Sequence, residues 1–139
     1  MPPEQDPLQV AVRALRHRDL PAAAVAARLA RAGVGDEQRE QALETLGRIG
    51  YVDDHRFARR RAETLAERGW GDGGIAADLE RQGVAPELVA EALAELAPER
   101  ERALQVVGRR GQGPKTAAYL ARHGFGEDAV ELARIAEDG

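Results

Sequence analysis

A short pattern occurs three times along the chain and divides it into comparable segments. The sequence reads AARLARAGV at residues 26–34, AADLERQGV at residues 76–84 and AAYLARHGF at residues 117–125. All copies share Ala-Ala-x-Leu-x-Arg-x-Gly followed by Val or Phe. Such self-similarity is typical of stacked supersecondary units that cannot bury their apolar faces alone. It indicates a repeat protein with a binding surface rather than an active-site pocket.

Each copy has the pattern of a helix, a stop and a second helix. The glycine after the Ala-Ala-x-Leu-x-Arg run suits the left-handed residue that often ends a helix. These glycines are Gly33, Gly83 and Gly124, and the apolar residue after each is expected to close the cap. An acidic residue or a proline then opens the next helix, at Asp36, Pro86 and Glu127.

A further helix precedes each motif, because shifting the chain by one repeat aligns Leu15, Leu65 and Val107. No segment alternates apolar and polar residues as a strand would for more than a few positions. We therefore predict an all-α protein of three tandem three-helix repeats that form an elongated, curved array. The predicted segments are a flexible N-terminus at 1–7 and repeats at 8–50, 51–97 and 98–139.

Apolar residues at helical spacing predict the core. Leu29, Leu79 and Leu120 occupy the same position of the motif, so they are expected to be equivalent buried residues. The last helix of the first repeat carries Ala42, Leu43, Leu46 and Ile49 three or four positions apart.

Composition excludes several classes of protein. The chain has no cysteine and no serine, so disulfides, thiolate nucleophiles, cysteine metal sites and serine nucleophiles are excluded. It has no long apolar run, and its start, MPPEQDP, does not resemble a signal peptide. We predict a soluble, cytoplasmic monomer that has no cofactor, no metal and no membrane contact, and that is not an enzyme.

The net charge of −4 hides a segregation of charge along the chain. Residues 8–34 carry five arginines and one aspartate, whereas residues 35–54 carry six acids and two arginines. Residues 102–124 carry five basic residues and no acid. A solvated surface of salt-bridged neighbours would explain any one stretch. Its recurrence in each repeat indicates one basic side that suits an anionic partner.

The stretch from Tyr51 to Gly74 has the highest density of recognisable signals. Asp53 is a credible N-cap, and Arg56, Arg59 and Arg60 share one helix face while Arg61 lies just round the helix. Tyr51 is expected to pack between the first and second repeats rather than expose its hydroxyl.

Two other motifs have ordinary structural explanations. Gly69-x-Gly71-x-x-Gly74 matches a dinucleotide-binding fingerprint, but a helical sequence precedes it where a strand is required. Asp53-Asp54-His55 resembles a metal cluster, but consecutive residues at a helix start point in different directions, so capping is the better explanation.

The middle repeat contains three recognisable motifs, namely Tyr51-Val52-Asp53-Asp54-x-Arg56-Phe57-Ala58, Arg68-Gly69-x-Gly71, and Ile75-x-x-x-Leu79-x-x-x-Gly83-Val84. These motifs resemble the signature of the RecX family, bacterial regulators of the RecA recombinase, and the similarity runs over about residues 8–137. In the first repeat, Arg18-Asp19-Leu20 followed by Leu29-x-x-x-Gly33 resembles the family's opening element. In the third, Gly111-x-Gly113-Pro114-Lys115 resembles its Gly-x-Gly-Pro-basic turn.

The resemblance implies a modulator, chiefly an inhibitor, of RecA that binds the RecA–DNA filament and restrains its ATPase, strand exchange and coprotease activities. It also implies a role in DNA repair, homologous recombination and the SOS response. Single-stranded DNA is a second candidate contact. The alternative function is a helical protein–protein scaffold with no nucleic-acid role. A helix-turn-helix DNA-binding regulator is disfavoured by the acidic balance and by the lack of a clear polar recognition helix.

The middle turn departs from the family pattern. Gly73 and Gly74 stand where the family commonly has two basic residues. We therefore assign partner binding, to the RecA filament or to DNA phosphate, to basic residues elsewhere. These are Arg56, Arg59, Arg60, Arg68, Arg109, Arg110, Lys115 and Arg122.

Overall fold

The computed structural model describes residues 6–135, and these residues form nine α-helices and no strand. The predicted all-α class is therefore confirmed. The helices are α1 (Pro7–Leu15), α2 (Ala22–Arg31), α3 (Asp36–Arg48), α4 (Asp54–Glu67), α5 (Asp72–Arg81), α6 (Pro86–Ala94), α7 (Glu99–Arg110), α8 (Pro114–Arg122) and α9 (Glu127–Ile135).

Helix starts follow the sequence signals. Asp6 caps α1 by accepting a hydrogen bond from the Leu8 amide at 3.0 Å, and Pro7 occupies the first turn. The segment predicted to be flexible, residues 1–7, overlaps α1, which begins at Pro7. The first five residues of that segment lie outside the described part of the chain.

Helix ends use the glycines that the repeat predicted. Gly33, Gly83 and Gly124 have φ values of 87°, 82° and 83°, which confirms the left-handed conformation expected of them. In the first repeat the Val34 amide then donates to the Leu29 carbonyl at 3.0 Å. The same bond joins Phe125 to Leu120 at 3.0 Å.

Two further helix ends adopt this geometry although their sequences lack the repeated motif. Gly50 follows α3 with φ of 83°, and the next amide donates to the Leu46 carbonyl at 2.9 Å. Gly69 follows α4 with φ of 91°, and the next amide donates to the Leu65 carbonyl at 3.0 Å. Both accepting leucines are buried.

Backbone contacts divide the chain into two compact units. Within the described residues, unit 1 comprises 6–57 with 82–84, and unit 2 comprises 58–81 with 85–135. The helices occur in three successive groups along the chain, but the division into two compact units does not coincide with the boundaries between those groups. The predicted repeat boundaries therefore stay predictions.

Unit 1 is built around an aliphatic core between its helices. The buried core residues are Ala11, Leu20, Val25, Leu29, Val34, Ala42, Leu46 and Val52. The Asp54 carboxylate accepts a hydrogen bond from the Ala22 amide at 2.8 Å, so the start of α4 caps the start of α2.

Unit 2 contains a second core, formed where α7, α8 and α9 pack. Its buried residues are Ala103, Val106, Ala117, Leu120, Phe125, Ala129, Val130 and Ala133. Small side chains predominate, which permits close helix contact. Leu29, Leu79 and Leu120 are all 0% exposed, which confirms the predicted equivalence of their burial.

Two side chains predicted to be buried are exposed. Ile49 lies one position beyond α3 and is 56% exposed, because the helix ends before the apolar pattern does. Tyr51 is 50% exposed, so the prediction that it packs was wrong. Its backbone amide donates a hydrogen bond to the Leu46 carbonyl, so the backbone of Tyr51 is fixed although its side chain is exposed.

Replacing Leu79 with alanine should lower the free energy of unfolding by about 2–5 kcal/mol, because a fully buried leucine leaves a cavity that relaxes only in part. Leu104→Ala is the matched control: Leu104 is 46% exposed, and its loss should cost less than about 0.5 kcal/mol. Chemical denaturation of both variants measures the difference, and equal values would show that Leu79 is not a core position.

Candidate partner-binding surface

The start of α4 is fixed by Asp53. Its carboxylate accepts a hydrogen bond from the Arg56 amide at 3.0 Å, which confirms the predicted N-cap. This backbone hydrogen bond is the main reason why the pKa of Asp53 is lowered from its ordinary value, with the Arg56 charge adding to it. The cap is therefore ionised, and fully effective, at neutral pH.

Arg56 makes internal contacts with its guanidinium group. It donates to the carbonyls of Gly50 at 2.9 Å and Tyr51 at 3.3 Å, and it pairs with Asp19 at 3.2 Å. The Asp19 hydrogen bond raises the pKa of Arg56 above its ordinary value. Arg56, one of the predicted partner-binding residues, thus has a structural role in unit 1 that the sequence did not indicate.

Arg61 is also paired internally. Its Nε and one terminal nitrogen donate to the two oxygens of Asp78 at 2.9 and 3.0 Å, a bidentate arrangement. The Asp78 side chain is only 10% exposed, and the hydrogen bond to it raises the pKa of Arg61. Arg61, which lies round the helix from Arg59 and Arg60, thus contacts α5.

Arg59 and Arg60 differ from these neighbours. Arg60 is exposed and Arg59 is half-buried, and neither guanidinium forms a hydrogen bond or an ion pair with any residue between 6 and 135. Their donors are therefore available to an external anionic group.

Of the remaining five predicted residues, which lie just after α4, in α7 and in α8, Arg110 contacts the aromatic ring of Tyr119. We call this set the Tyr119 surface, and it comprises Tyr119 with Arg68, Arg109, Arg110, Lys115 and Arg122. The Arg110 guanidinium carbon lies 3.9 Å from the centre of the Tyr119 ring, a cation–π contact. Lys115 and Arg122 lie four positions before and three positions after Tyr119, so they share its face of α8.

The end of α4 meets this surface at Gly69. A Cβ atom placed on Gly69 would lie 2.6 Å from the Tyr119 hydroxyl oxygen, so the ring covers the glycine that follows Arg68. Arg109 and Gly69 line a shallow depression of about 260 Å³, together with Glu63 and Glu67. Arg68, Arg109, Lys115 and Arg122 are exposed and form no ion pair within the described chain.

Tyr119 was not predicted as a site residue. The signal was present, because an aromatic residue stands between Lys115 and Arg122 at helical spacing. In the repeated motif its counterparts are Arg28 and Asp78, so the repeat gave no reason to single out an aromatic residue at this position.

The glycine-rich turn between α4 and α5 has a packing function. The amides of Gly71 and Gly73 donate to the carbonyls of His123 and Gly124 at 2.7 and 2.9 Å. A Cβ atom on Gly71 would lie 2.5 Å from the Phe125 backbone, and one on Gly74 would lie 2.8 Å from the His123 oxygen. Glycine is required because two backbone segments approach this closely.

Arg102 completes the same turn and is not part of the basic surface. It is 8% exposed, donates to the carbonyls of Trp70 and Ala97 at 2.9 Å each, and pairs with Asp72. Glu99 accepts from the Asp72 amide at 2.9 Å. Because the first amides of this turn already have acceptors, it offers no open anion site, and the glycines at 73 and 74 are explained by packing.

Other kinds of site find no support among residues 6–135. No group of three or more histidine, aspartate or glutamate side chains there could hold a metal ion. None of the helices in that range combines the length and the apolar composition needed to cross a membrane.

The nine helices of residues 6–135 place the chain among all-helical proteins. Residues 53–93 match the family described as the second three-helix domain of RecX. The regulatory protein RecX of Trichlorobacter lovleyi is 33% identical over 135 residues, which cover 86% of this chain and 88% of that protein. The chain belongs to the RecX family of regulatory proteins.

Other relatives extend the match over nearly all of the chain. RecX of Stenotrophomonas maltophilia is 31% identical, with 95% of this chain and 87% of that protein covered. The fold agrees with the crystal structure of RecX from Lactobacillus salivarius, with a TM-score of 0.80 at 16% identity over 95% of this chain and 94% of that one. A second crystal structure, of a regulatory protein RecX, gives a TM-score of 0.76 at 20% identity over 92% and 71% of the two chains.

Restoring a basic residue in the middle turn should damage the fold rather than strengthen binding. Gly74→Arg should lower the free energy of unfolding by about 1–3 kcal/mol, because its side chain has no room beside His123. Gly108→Arg is the control, since Gly108 is exposed in α7 with nothing within 4 Å of an added Cβ. That change should leave stability unchanged or raise it by up to about 1 kcal/mol. Thermal melts compare them, and an equally stable Gly74→Arg protein would contradict the packing explanation.

Proposed function

We propose that this protein inhibits a RecA recombinase by binding along the RecA–DNA filament. It restrains ATP hydrolysis, strand exchange and coprotease activity by bridging adjacent recombinase subunits in the filament groove and competing with substrate access. It acts as a cytoplasmic monomer without catalysis of its own, and so modulates homologous recombination, DNA repair and the SOS response. The membership in a family of regulatory proteins supports this proposal.

The observation that carries the proposal is that the arginines fall into two groups, those paired inside the protein and those without a partner among residues 6–135. Arg56, Arg61 and Arg102 are paired inside the protein. Arg59 and Arg60 have no partner between residues 6 and 135, nor do the cations of the Tyr119 surface except Arg110, which stacks on the ring. Exposed and unpaired cations in a chain of net charge −4 favour a complementary anionic partner over a general polyanion coat.

An acidic surface of the recombinase is the better partner for these cations than DNA phosphate. Glu63 and Glu67 line the same depression as Arg109, so both signs of charge occur together. A nucleic-acid backbone is uniformly negative and would be repelled by the glutamates. A protein surface can place a basic group opposite each glutamate and an acidic group opposite each arginine.

Purified protein should slow ATP hydrolysis by its cognate RecA on single-stranded DNA, in a manner that saturates with protein concentration. The physical reason is that occupancy of the filament groove hinders the subunit movements and substrate access that turnover requires. A coupled ATPase assay measures the rate, and the protein alone should hydrolyse no ATP. An unchanged recombinase rate across a wide excess of the protein would remove the proposal and favour the scaffold alternative.

Charge reversal on α4 should show whether its cations bind the recombinase or DNA. The double change Arg59→Glu with Arg60→Glu should weaken co-sedimentation with RecA filaments by about tenfold or more and leave binding to bare single-stranded DNA weak, as in the unaltered protein. Arg48→Glu with Arg100→Glu changes the net charge equally at exposed positions outside the predicted set, and it should retain filament binding. Arg59→Gln with Arg60→Gln repeats the test if reversal lowers the melting temperature.

The salt dependence of DNA binding would reveal the opposite outcome, in which these cations bind DNA phosphates directly. If these cations contact about five phosphates of single-stranded DNA, the log–log slope of affinity against salt should be about −3.5. Tight binding to bare DNA with that slope, lost in the Arg59 and Arg60 double variant, would show that the surface binds phosphate instead of protein.

A further inference from the structure

Unit 1 has a second concentration of cations, outside the residues predicted to bind a partner. A depression of about 570 Å³ lies between α1 and α2. Its basic residues are Arg13, His17, Arg18, Arg28 and Arg31, and no acidic residue lines it. We call it the α1–α2 groove.

The cations of the α1–α2 groove have no partner among the residues that the structure describes. All of the groove arginines are exposed, and none has a hydrogen bond or an ion pair with a residue in the range 6–135. Arg13, Arg28 and Arg31 lie in the last turns of their helices, where the helix dipole favours them. That effect does not explain Arg18 and His17, which lie beyond the end of α1 and border the same groove.

The groove also has an apolar part. Val10 and Ala14 line it, pack against the core of unit 1 and are partly buried. The combination is an apolar strip bordered by guanidinium groups, which can form bidentate hydrogen bonds with carboxylates.

We propose that the α1–α2 groove binds a short acidic peptide segment of a protein partner. The carboxylates of the segment pair with Arg13, Arg28 and Arg31, and an aliphatic side chain lies on Val10 and Ala14. The proposal stands apart from RecA inhibition, which was argued from Arg59, Arg60 and the Tyr119 surface.

An acidic peptide fits the groove better than a nucleic acid does. The phosphates of a nucleic acid bind guanidinium groups but offer no aliphatic side chain to pack on Val10 and Ala14. It also carries charge well beyond a groove of this size, and unit 1 exposes Glu37, Glu40 and Glu44 on α3. A segment of a few residues can end before it meets that negative charge.

The test uses a fluorescein-labelled synthetic peptide that is rich in Asp and Glu and has leucine at every third or fourth position. Fluorescence anisotropy at low salt should show saturable binding by the full-length protein. A peptide with Gln and Asn in place of the acids should bind about tenfold more weakly or not at all, because it offers no charge-assisted hydrogen bonds. An oligo-dT of similar length should also bind at least about tenfold more weakly.

Variants locate the site. Arg28→Gln with Arg31→Gln should reduce peptide affinity about tenfold while keeping helix propensity. Ala14→Glu should have a similar effect, since it places a negative charge on the apolar strip. Arg48→Gln with Arg100→Gln is the matched control, because it removes two exposed positive charges outside the groove, and it should bind the peptide like the unaltered protein.

Three results would each overturn the proposal. They are oligo-dT binding as tight as peptide binding, equal affinity for the acidic and the amide peptides, and equal loss of affinity in the groove and control variants. The assay contains no recombinase, so its failure leaves RecA inhibition standing, and a failed ATPase assay leaves the groove proposal standing.

Discussion

The hydrogen bond from the amide after a left-handed glycine to the carbonyl of a leucine in the last helical turn recurs through the structure. It ends α2, α3, α4 and α8, and in each case the accepting leucine is buried. Glycine adopts this positive-φ conformation without steric strain. The hydrogen bond links the reversal of the chain to a leucine in the core. The turn therefore fixes the direction of the next helix relative to a packed side chain. The rest of each unit depends on it, because short helices gain little stability without tertiary packing.

The close approach at Gly71 and Gly74 determines which charges remain for a partner. It places the start of α5 against the turn after α8. There Arg102 donates to the Trp70 carbonyl and pairs with the Asp72 carboxylate, and Glu99 accepts from the Asp72 amide. Buried ionic groups of this kind are stable only when each is paired and hydrogen-bonded. Arg102 lies in the acid-free stretch of the sequence, but it is paired inside this turn. The Tyr119 surface is therefore formed by other basic residues.

Much of the fold could be predicted from the sequence, because the repeat displays both the helical spacing and the glycine stops. The candidate site could be predicted only in part. The sequence places Arg56 and Arg59 on one face of α4 and Arg61 just round the helix, but it does not show which of them meets an acceptor from elsewhere in the chain. Asp19 accepts from Arg56 and Asp78 from Arg61, whereas no residue between 6 and 135 accepts from Arg59. Spacing along one helix reveals which residues share a face, but it does not reveal which partner another helix brings to that face.

The arginines paired inside the protein and the cations of the Tyr119 surface should respond differently to salt. The Arg61–Asp78 and Arg102–Asp72 pairs are shielded from solvent on at least one side, with side-chain exposures of 10% for Asp78 and 9% for Arg102. Mobile ions screen such pairs weakly. The cations of the Tyr119 surface are open to solvent, so their attraction to any partner falls as ionic strength rises. Moderate salt should therefore release a bound partner while the packing around Gly71 stays intact, because the charges that hold the fold and the charges that meet the partner lie in different dielectric environments.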